Sequence, residues 1–272
     1  MVEHSSGSPY IYTGSRAAAS LFGQRSAAVQ AGFLLPYLKA GDRVVDCGCG
    51  TGEITVGLAE AVSPGEVVGI DRAESVIQQA RKNAEKAGLT NMTAQVGDVT
   101  DLKLPDGSAD VVYFHAVLAH LPDPEAALGE AHRVLKPGGT IAAREPEKGG
   151  DLFGGPLADS WYRFNDLLMA DWRLAGGDPR LGGRLKGLLR GAGFEVIETT
   201  AIYDYSSVEG SESLTRFGVA RLQEDAFVSR VVERGLADRE ALASMAADFD
   251  RYVDDPDVFA AIAEVEVLGR KA

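Results

Sequence analysis

Between Arg43 and about Glu145 the chain keeps switching between two kinds of segment. Short apolar, β-branched runs ("RVVDC", "EVVGID", "MTAQVGD", "ADVVYFH", "GTIAARE") alternate with helical stretches such as "EITVGLAEAV", "AESVIQQARKNAEKAG" and "PEAALGEAHRVLKPGG". The runs are short and lack a polar face, so they belong to strands covered on both sides. Strands of that kind separated by helices build a doubly wound parallel sheet. Two later runs, "FEVIETTAIYDY" and "VFAAIAEVEVLGRK", add strands, with helix as the alternative at the start of the second. The expected fold is therefore α/β, a seven-stranded, mostly parallel Rossmann-like sheet. Of the helices, "PEAALGEAHRVLKPGG" is the best punctuated: Asp123 caps it, Pro124 takes its first position and Gly138 ends it.

Around this core we expect a helical N-terminal arm over 15–39 and the sheet core over 40–148. A substrate-side insertion and helix then occupy 149–192, and the last strands 193–272, themselves interrupted by a polar helical insertion at about 209–254. No repeat or low-complexity segment appears, so the reading is one domain with elaborations over 1–272.

Composition narrows the partners. The net charge is −13, from 40 acidic and 27 basic side chains, and such a surface repels phosphate backbones. No apolar run approaches the roughly 18 residues of a membrane span. The N-terminal "MVEHSSGSPYIYTG" lacks the basic and apolar regions of a secretory signal, so the expectation is a cytoplasmic protein. Only two cysteines are present, which excludes a disulfide framework. A homodimer is compatible with the helical insertion, which could equally cap a pocket.

Those cysteines lie in "VVDCGCGTGE", residues 44–53. Cys47 and Cys49 lack a second ligand pair, and His4, His115, His120 and His132 have no ligand spacing with them, so no metal is expected. No Gly-Lys-Ser/Thr follows, which removes a nucleotide P-loop. A dinucleotide fingerprint would need a third glycine where Glu53 stands, and a carboxylate there repels a diphosphate. What remains is Asp-x-Gly-x-Gly-x-Gly: Asp46, Gly48, Gly50 and Gly52. Alternating glycines permit close backbone approach to a ligand without demanding an anion.

This loop resembles that of the class I S-adenosylmethionine (SAM)-dependent methyltransferases. Roughly twenty residues on, the second strand ends in "VVGIDRAE" with Asp71 at its tip beside Arg72, where an acid accepts ribose hydroxyls. The third strand ends in "QVGDVTDL", and the resemblance places Asp98 at the adenine amino group and Val99 against the adenine ring. "ADVVYFHAVLAHLPDPEAALGEAHRVLKPGGTIAARE" is similar to the family's motifs after strands four and five. It is most similar to the branch of ubiquinone and menaquinone biosynthesis, which methylates small molecules. The resemblance covers about 25–203 and implies SAM as cofactor, S-adenosylhomocysteine as product and a small-molecule acceptor, in the manner of secondary metabolism. It further implies that Arg25 and Tyr12 of the arm fold over the methionine tail, with Arg16 an equal contender.

Methyl transfer from a sulfonium relies on alignment, and a general base is needed only if the acceptor must lose a proton. The candidates are His115 at the end of the fourth strand, His120, Glu145, and Tyr10, Tyr12, Tyr203 and Tyr205. His115 is the best placed, and it doubles as a candidate cofactor contact. Leu157, Trp161, Phe164, Leu168 and Trp172 recur at helical spacing and form one apolar face. That face either packs on the sheet or walls an acceptor pocket suited to a lipophilic ring. Arg180 and Arg184 are candidates for an acidic group on the acceptor. "FHAVL" replaces the Asn/Asp-Pro-Pro-aromatic motif of amino-group DNA methyltransferases and the metal-binding carboxylate of catechol-type enzymes. A metal-free reaction on a small hydrophobic metabolite, at carbon, oxygen or nitrogen, follows. The alternatives are a nicotinamide-dependent oxidoreductase, and a SAM-fold protein that binds a partner or performs a cyclisation.

Overall fold

The computed structural model describes residues 10–205 and 207–272; His4 lies outside them. The first strand, β1 (Val44–Cys47), is fully buried and pairs in parallel with β2 (Val67–Asp71) on one side and β4 (Ala109–His115) on the other. β3 (Met92–Val96) extends the sheet beyond β2, and β5 (Leu135–Pro146) extends it beyond β4, both in parallel. The order then turns antiparallel: β5 meets β8 (Phe259–Lys271), which also carries β7 (Phe194–Asp204) and the short β6 (Leu152–Gly154). The seven expected strands are present, and β6 is an addition of three residues. Such a short segment beside a glycine-rich turn has no period to reveal it.

Helices α3 (Glu53–Val62), α4 (Glu74–Lys86), α5 (Pro124–Val134) and α7 (Gly182–Gly191) cover the sheet. Asp123 caps α5 by accepting from the Ala126 amide, as its sequence implies. The helix ends before the expected Gly138, because Pro137 cannot donate and biases Lys136 toward extended backbone, so Leu135 already pairs in β5. The arm is not one helix but α1 (Arg16–Phe22), α2 (Ala27–Gln30) and a turn over Leu35–Tyr37. After β6 comes the aromatic helix α6 (Ala158–Leu174). The insertion between the last two strands forms α8 (Val208–Leu222), α9 (Asp225–Glu233) and α10 (Arg239–Tyr252).

Two apolar cores line the two faces of the sheet, one including Val45, Phe114, Leu128 and Leu185 and the other Val44, Leu58, Ile77 and Tyr113. A third joins α1, α6 and α8–α10 through residues such as Leu21, Phe164, Phe217, Phe227 and Phe249. The helical insertion therefore packs onto this chain's own arm. It roofs the carboxyl edge of the sheet, where all five parallel strands end.

Candidate active site

The strand order reverses between β1 and β4. Open α/β sheets bind ligands in the crevice outside the strand ends at such a switch point. Here the crevice is bordered by the glycine loop after β1. Gly48, Gly50 and Gly52 all adopt positive φ, at 76°, 54° and 86°. A side chain at Gly48 would drive into Val117, and one at Gly52 would crowd Ala80, so close packing adds to the positive φ in favouring glycine at both. Gly50 differs: a Cβ there would meet nothing within 4 Å. The loop thus turns its bare backbone toward open space at that point.

Asp71 ties the loop to the neighbouring strand. One carboxylate oxygen accepts from the Gly50 amide at 3.1 Å and the other from the Ala73 amide at 3.0 Å. Each oxygen retains a free lone pair for a ligand hydroxyl. Asp46 lies beneath, nearly fully buried, and accepts the Thr55 hydroxyl at 2.6 Å. Burial pushes its carboxyl up to about 7, with the Asp71 charge adding to the effect and the Thr55 bond opposing it. Glu53 accepts from Thr51 and from Asn83, whose amide also holds the Thr51 carbonyl at 2.9 Å. A carboxylate therefore occupies the first turn of α3, where a dinucleotide would set its diphosphate. The thiols of Cys47 and Cys49 are buried and unpaired with each other, pushed up by burial, and Gly69 makes room for Cys49. Among the described residues no three His, Cys, Asp or Glu side chains gather as metal ligands.

Beside this crevice lies an aromatic cavity of about 80 Å3, lined among others by Tyr12, Phe153, Trp161, Trp172, Tyr205 and Phe217. Arg25, His120 and Lys148 also line it. The arm crosses its mouth. Tyr10 packs edge-on against His120, with ring centres 4.6 Å apart, and lies 5.9 Å from the Arg72 guanidinium. His120 stacks on Trp172 at 4.1 Å. Burial, with Arg72 and Arg25 nearby, pulls the His120 imidazole down to about 3, so it is neutral at physiological pH.

A family model described as a methyltransferase domain matches residues 38–179, just over half of the 272-residue chain. A demethylmenaquinone methyltransferase of Geobacillus stearothermophilus is 32% identical over 178 residues, covering 59% of this chain and 74% of that protein. The chain belongs to the class I SAM-dependent methyltransferase family.

An uncharacterized methyltransferase of Schizosaccharomyces pombe is 36% identical over 163 residues, 57% of each chain. Among solved structures, the [4+2]-cyclase SpnF superposes with a TM-score of 0.56 at 25% identity, over 92% of this chain and 84% of that one. The chain spans 57%, 31% and 46% of the length of the first three curated relatives it matches.

Within that family frame, several sequence expectations meet at one place. Gly48, Gly50, Gly52, Asp71 and Arg72 border the crevice, with Asp98 and Val99 following the end of neighbouring β3. Asp98 is exposed and holds Thr100 in a tight turn through its Oδ1, leaving Oδ2 free, while Val99 is buried. Arg25 and Tyr12 line the cavity, whereas Arg16 is exposed and does not, which separates the two arginines. His115 is buried at the end of β4, and its Nε2 has no hydrogen-bond partner among the described residues. Burial and the cations Arg25 and Arg144 hold this imidazole well below its ordinary range, hence neutral.

Other expectations are corrected. Glu145 is fully buried and accepts the amides of Val117, Leu118 and Ala119 at 3.0, 2.9 and 3.1 Å. Its carboxylate shapes the turn after β4 and has no free path to an acceptor, so it is not a catalytic base. Burial pushes it up to about 7 against those three bonds. Phe164 is fully buried against Phe217, Phe227 and Phe249, in the core rather than the cavity wall. Arg184 is exposed and pairs with Asp178 at 2.9 Å, and exposed Arg180 pairs with Glu147, so neither faces the cavity. Tyr203 is likewise exposed on β7. Trp161 and Trp172 do line the cavity. Sequence reasoning missed Lys148, Phe153 and Phe217, because each comes from a segment with no motif.

Proposed function

We propose that this chain transfers the methyl group of SAM to a small, lipophilic, ring-bearing acceptor without a metal. The observation that carries this reading is the Asp71 carboxylate bonded to the Gly50 amide: it joins a candidate ribose-binding acid to the one of the three loop glycines whose backbone faces open space. Bound there, the sulfonium supplies an activated methyl group. The chain's residues bind and orient. Asp71 accepts the ribose hydroxyls through its free lone pairs, Asp98 the adenine amino group through its free oxygen, and Val99 packs on the ring. Arg72 borders the ribose side. Arg25, between the two helices of the arm, offers its guanidinium to the methionine carboxylate, and Tyr12 lines the cavity beside it. His115, at the end of β4 with an Nε2 that has no partner among the described residues, is the candidate base. His120, held neutral and stacked on Trp172, serves as wall. Asp46 sets the loop from below and touches no ligand.

The net charge of −13 supports a small molecule over a nucleic acid. Among the described residues no helix is long and apolar enough to cross a membrane, and the cytoplasmic location stays part of the proposal. The whole chain, 1–272, then acts as one methyltransferase domain.

Calorimetric titration with SAM and S-adenosylhomocysteine tests the reading. Micromolar binding by the wild type and at least a tenfold loss in Asp71→Ala are expected. No heat from folded wild-type protein would contradict it, and a response to nicotinamides instead would favour an oxidoreductase. Tight binding without transfer to any acceptor would favour a cyclase-like role of the kind that the name of the [4+2]-cyclase SpnF describes.

A further inference from the structure

The cavity wall holds a lysine that no methyltransferase motif accounts for. Lys148 opens a short turn after β5, and its backbone is fixed from three sides. Its amide donates to Pro179 at 2.9 Å, its carbonyl accepts from Asn165 at 3.0 Å, and Gly150 closes the turn onto Glu147 at 2.8 Å. Its side chain is only 13% exposed and ends against Asp151, with Nζ to Oδ2 at 2.9 Å. The other Asp151 oxygen accepts from the Ala263 amide at 2.9 Å. An ammonium carries three protons, and Asp151 takes one. The other two have no acceptor among the described residues.

Of the other charged residues around the cavity, Glu264 is bonded by Arg144, and Arg25, whose guanidinium stacks over Phe22 at 4.0 Å, is the one assigned above to the methionine carboxylate. Burial opposes the charged form of Lys148, but the Asp151 carboxylate outweighs that cost, with a smaller contribution from the Tyr12 phenol group, and holds the ammonium above its ordinary range. A second donor on the same lining also lacks a partner: the indole N–H of Trp161, a residue 2% exposed and stacked on Phe153 at 5.0 Å. Aromatic walls with spare hydrogen-bond donors, one of them cationic, suit a flat ring carrying an acceptor oxygen.

We propose that Lys148 is a specificity-determining residue of the acceptor site, which binds the acidic hydroxyl of a phenol or enol and favours its oxyanion. This inference rests on the methyltransferase reading for its biological meaning, but binding at Lys148 needs no SAM. The ammonium donates to the oxygen while Asp151 keeps it in place. The aromatic residues take the faces of the ring.

The test uses the chain without cofactor and a single-ring pair, 4-nitrophenol and its methyl ether, 4-nitroanisole, in equilibrium dialysis. The nitrophenolate absorbance reports ionisation of the bound phenol directly. Wild-type protein should bind 4-nitrophenol at least tenfold more tightly than the ether and lower its apparent pKa. Lys148→Met/Asp151→Asn, which leaves no buried carboxylate unpaired, should reduce phenol binding about tenfold, as for a lost charge-assisted bond, and leave ether binding unchanged. The pKa shift should vanish with it. Circular dichroism confirms the fold of the variant. Equal affinity for phenol and ether, an unchanged pKa, binding indifferent to the double substitution, or no binding of either compound would overturn the proposal. A failure of SAM to bind would show in calorimetry instead, so the two readings fail separately.

Discussion

At the scale of single residues, the site is built from carboxylates that look alike in sequence and do different work. Asp71 keeps lone pairs free at the crevice, whereas Asp46 and Glu145 are buried and each pushed up to about 7. For Asp46 this has a pH signature. Its folded carboxyl holds its proton more tightly than the unfolded one, so its contribution is full below about pH 4 and fades as pH rises through about 7. Asp46→Asn removes this dependence. The difference in unfolding free energy, wild type minus variant, should therefore fall between pH 4 and pH 7, by an amount of order a few kcal/mol. Urea denaturation across that range measures it, and a flat difference would contradict the assignment. The spacing of Asp46, Gly48, Gly50, Gly52 and Asp71 was enough to place them together, because each sits at a fixed offset from a strand end. Glu145 was misread for the same reason: its position at a strand end is right, but which way a carboxylate turns depends on the amides of a distant turn.

Among elements, the arm carries the least sequence signal and makes some of the most specific contacts. Ser15 and Ala17 both bond Glu224 at 3.0 Å, and the Ile11 carbonyl is held by Arg221 and Arg230. Arg221 is 2% exposed and pairs with Glu224 at 2.6 Å. The helical insertion thus latches the arm over the cavity. Removing one member of a buried ion pair strands the other. Arg221→Leu should loosen the arm and raise tryptic cleavage after Arg16 several-fold under native conditions, read by mass spectrometry. Unchanged cleavage would mean that the arm is held by its apolar contacts alone. The main helices and strands were legible because their periods are sustained over many residues. The broken arm was not: α2 is four residues long, and its position depends on Arg144 bonding the Val29 carbonyl at 2.8 Å from the sheet. The same limit hid the split role of α6, where Trp161 and Trp172 reach the cavity and Phe164, on the same face, fills the core.

For the whole molecule, a shared sheet presents a family-typical crevice, and the elaborations around it shape a separate, aromatic chamber. The insertion between the last two strands contributes to that chamber's wall through Leu214 and Phe217 of α8. Cofactor chemistry was readable in the sequence because it sits on the shared sheet, whereas the chamber is assembled from α1, α6, α8 and the turn at Lys148, far apart in the chain. The central claim is that the glycine loop and Asp71 cradle a sulfonium nucleoside. A crystal structure with S-adenosylhomocysteine tests this most directly. Ribose hydroxyls on the Asp71 carboxylate, adenine against Val99, and the sulfur at the end of β4 facing the chamber are expected. Ligand density anywhere else, or contacts that leave Asp71 and Gly50 untouched, would contradict it.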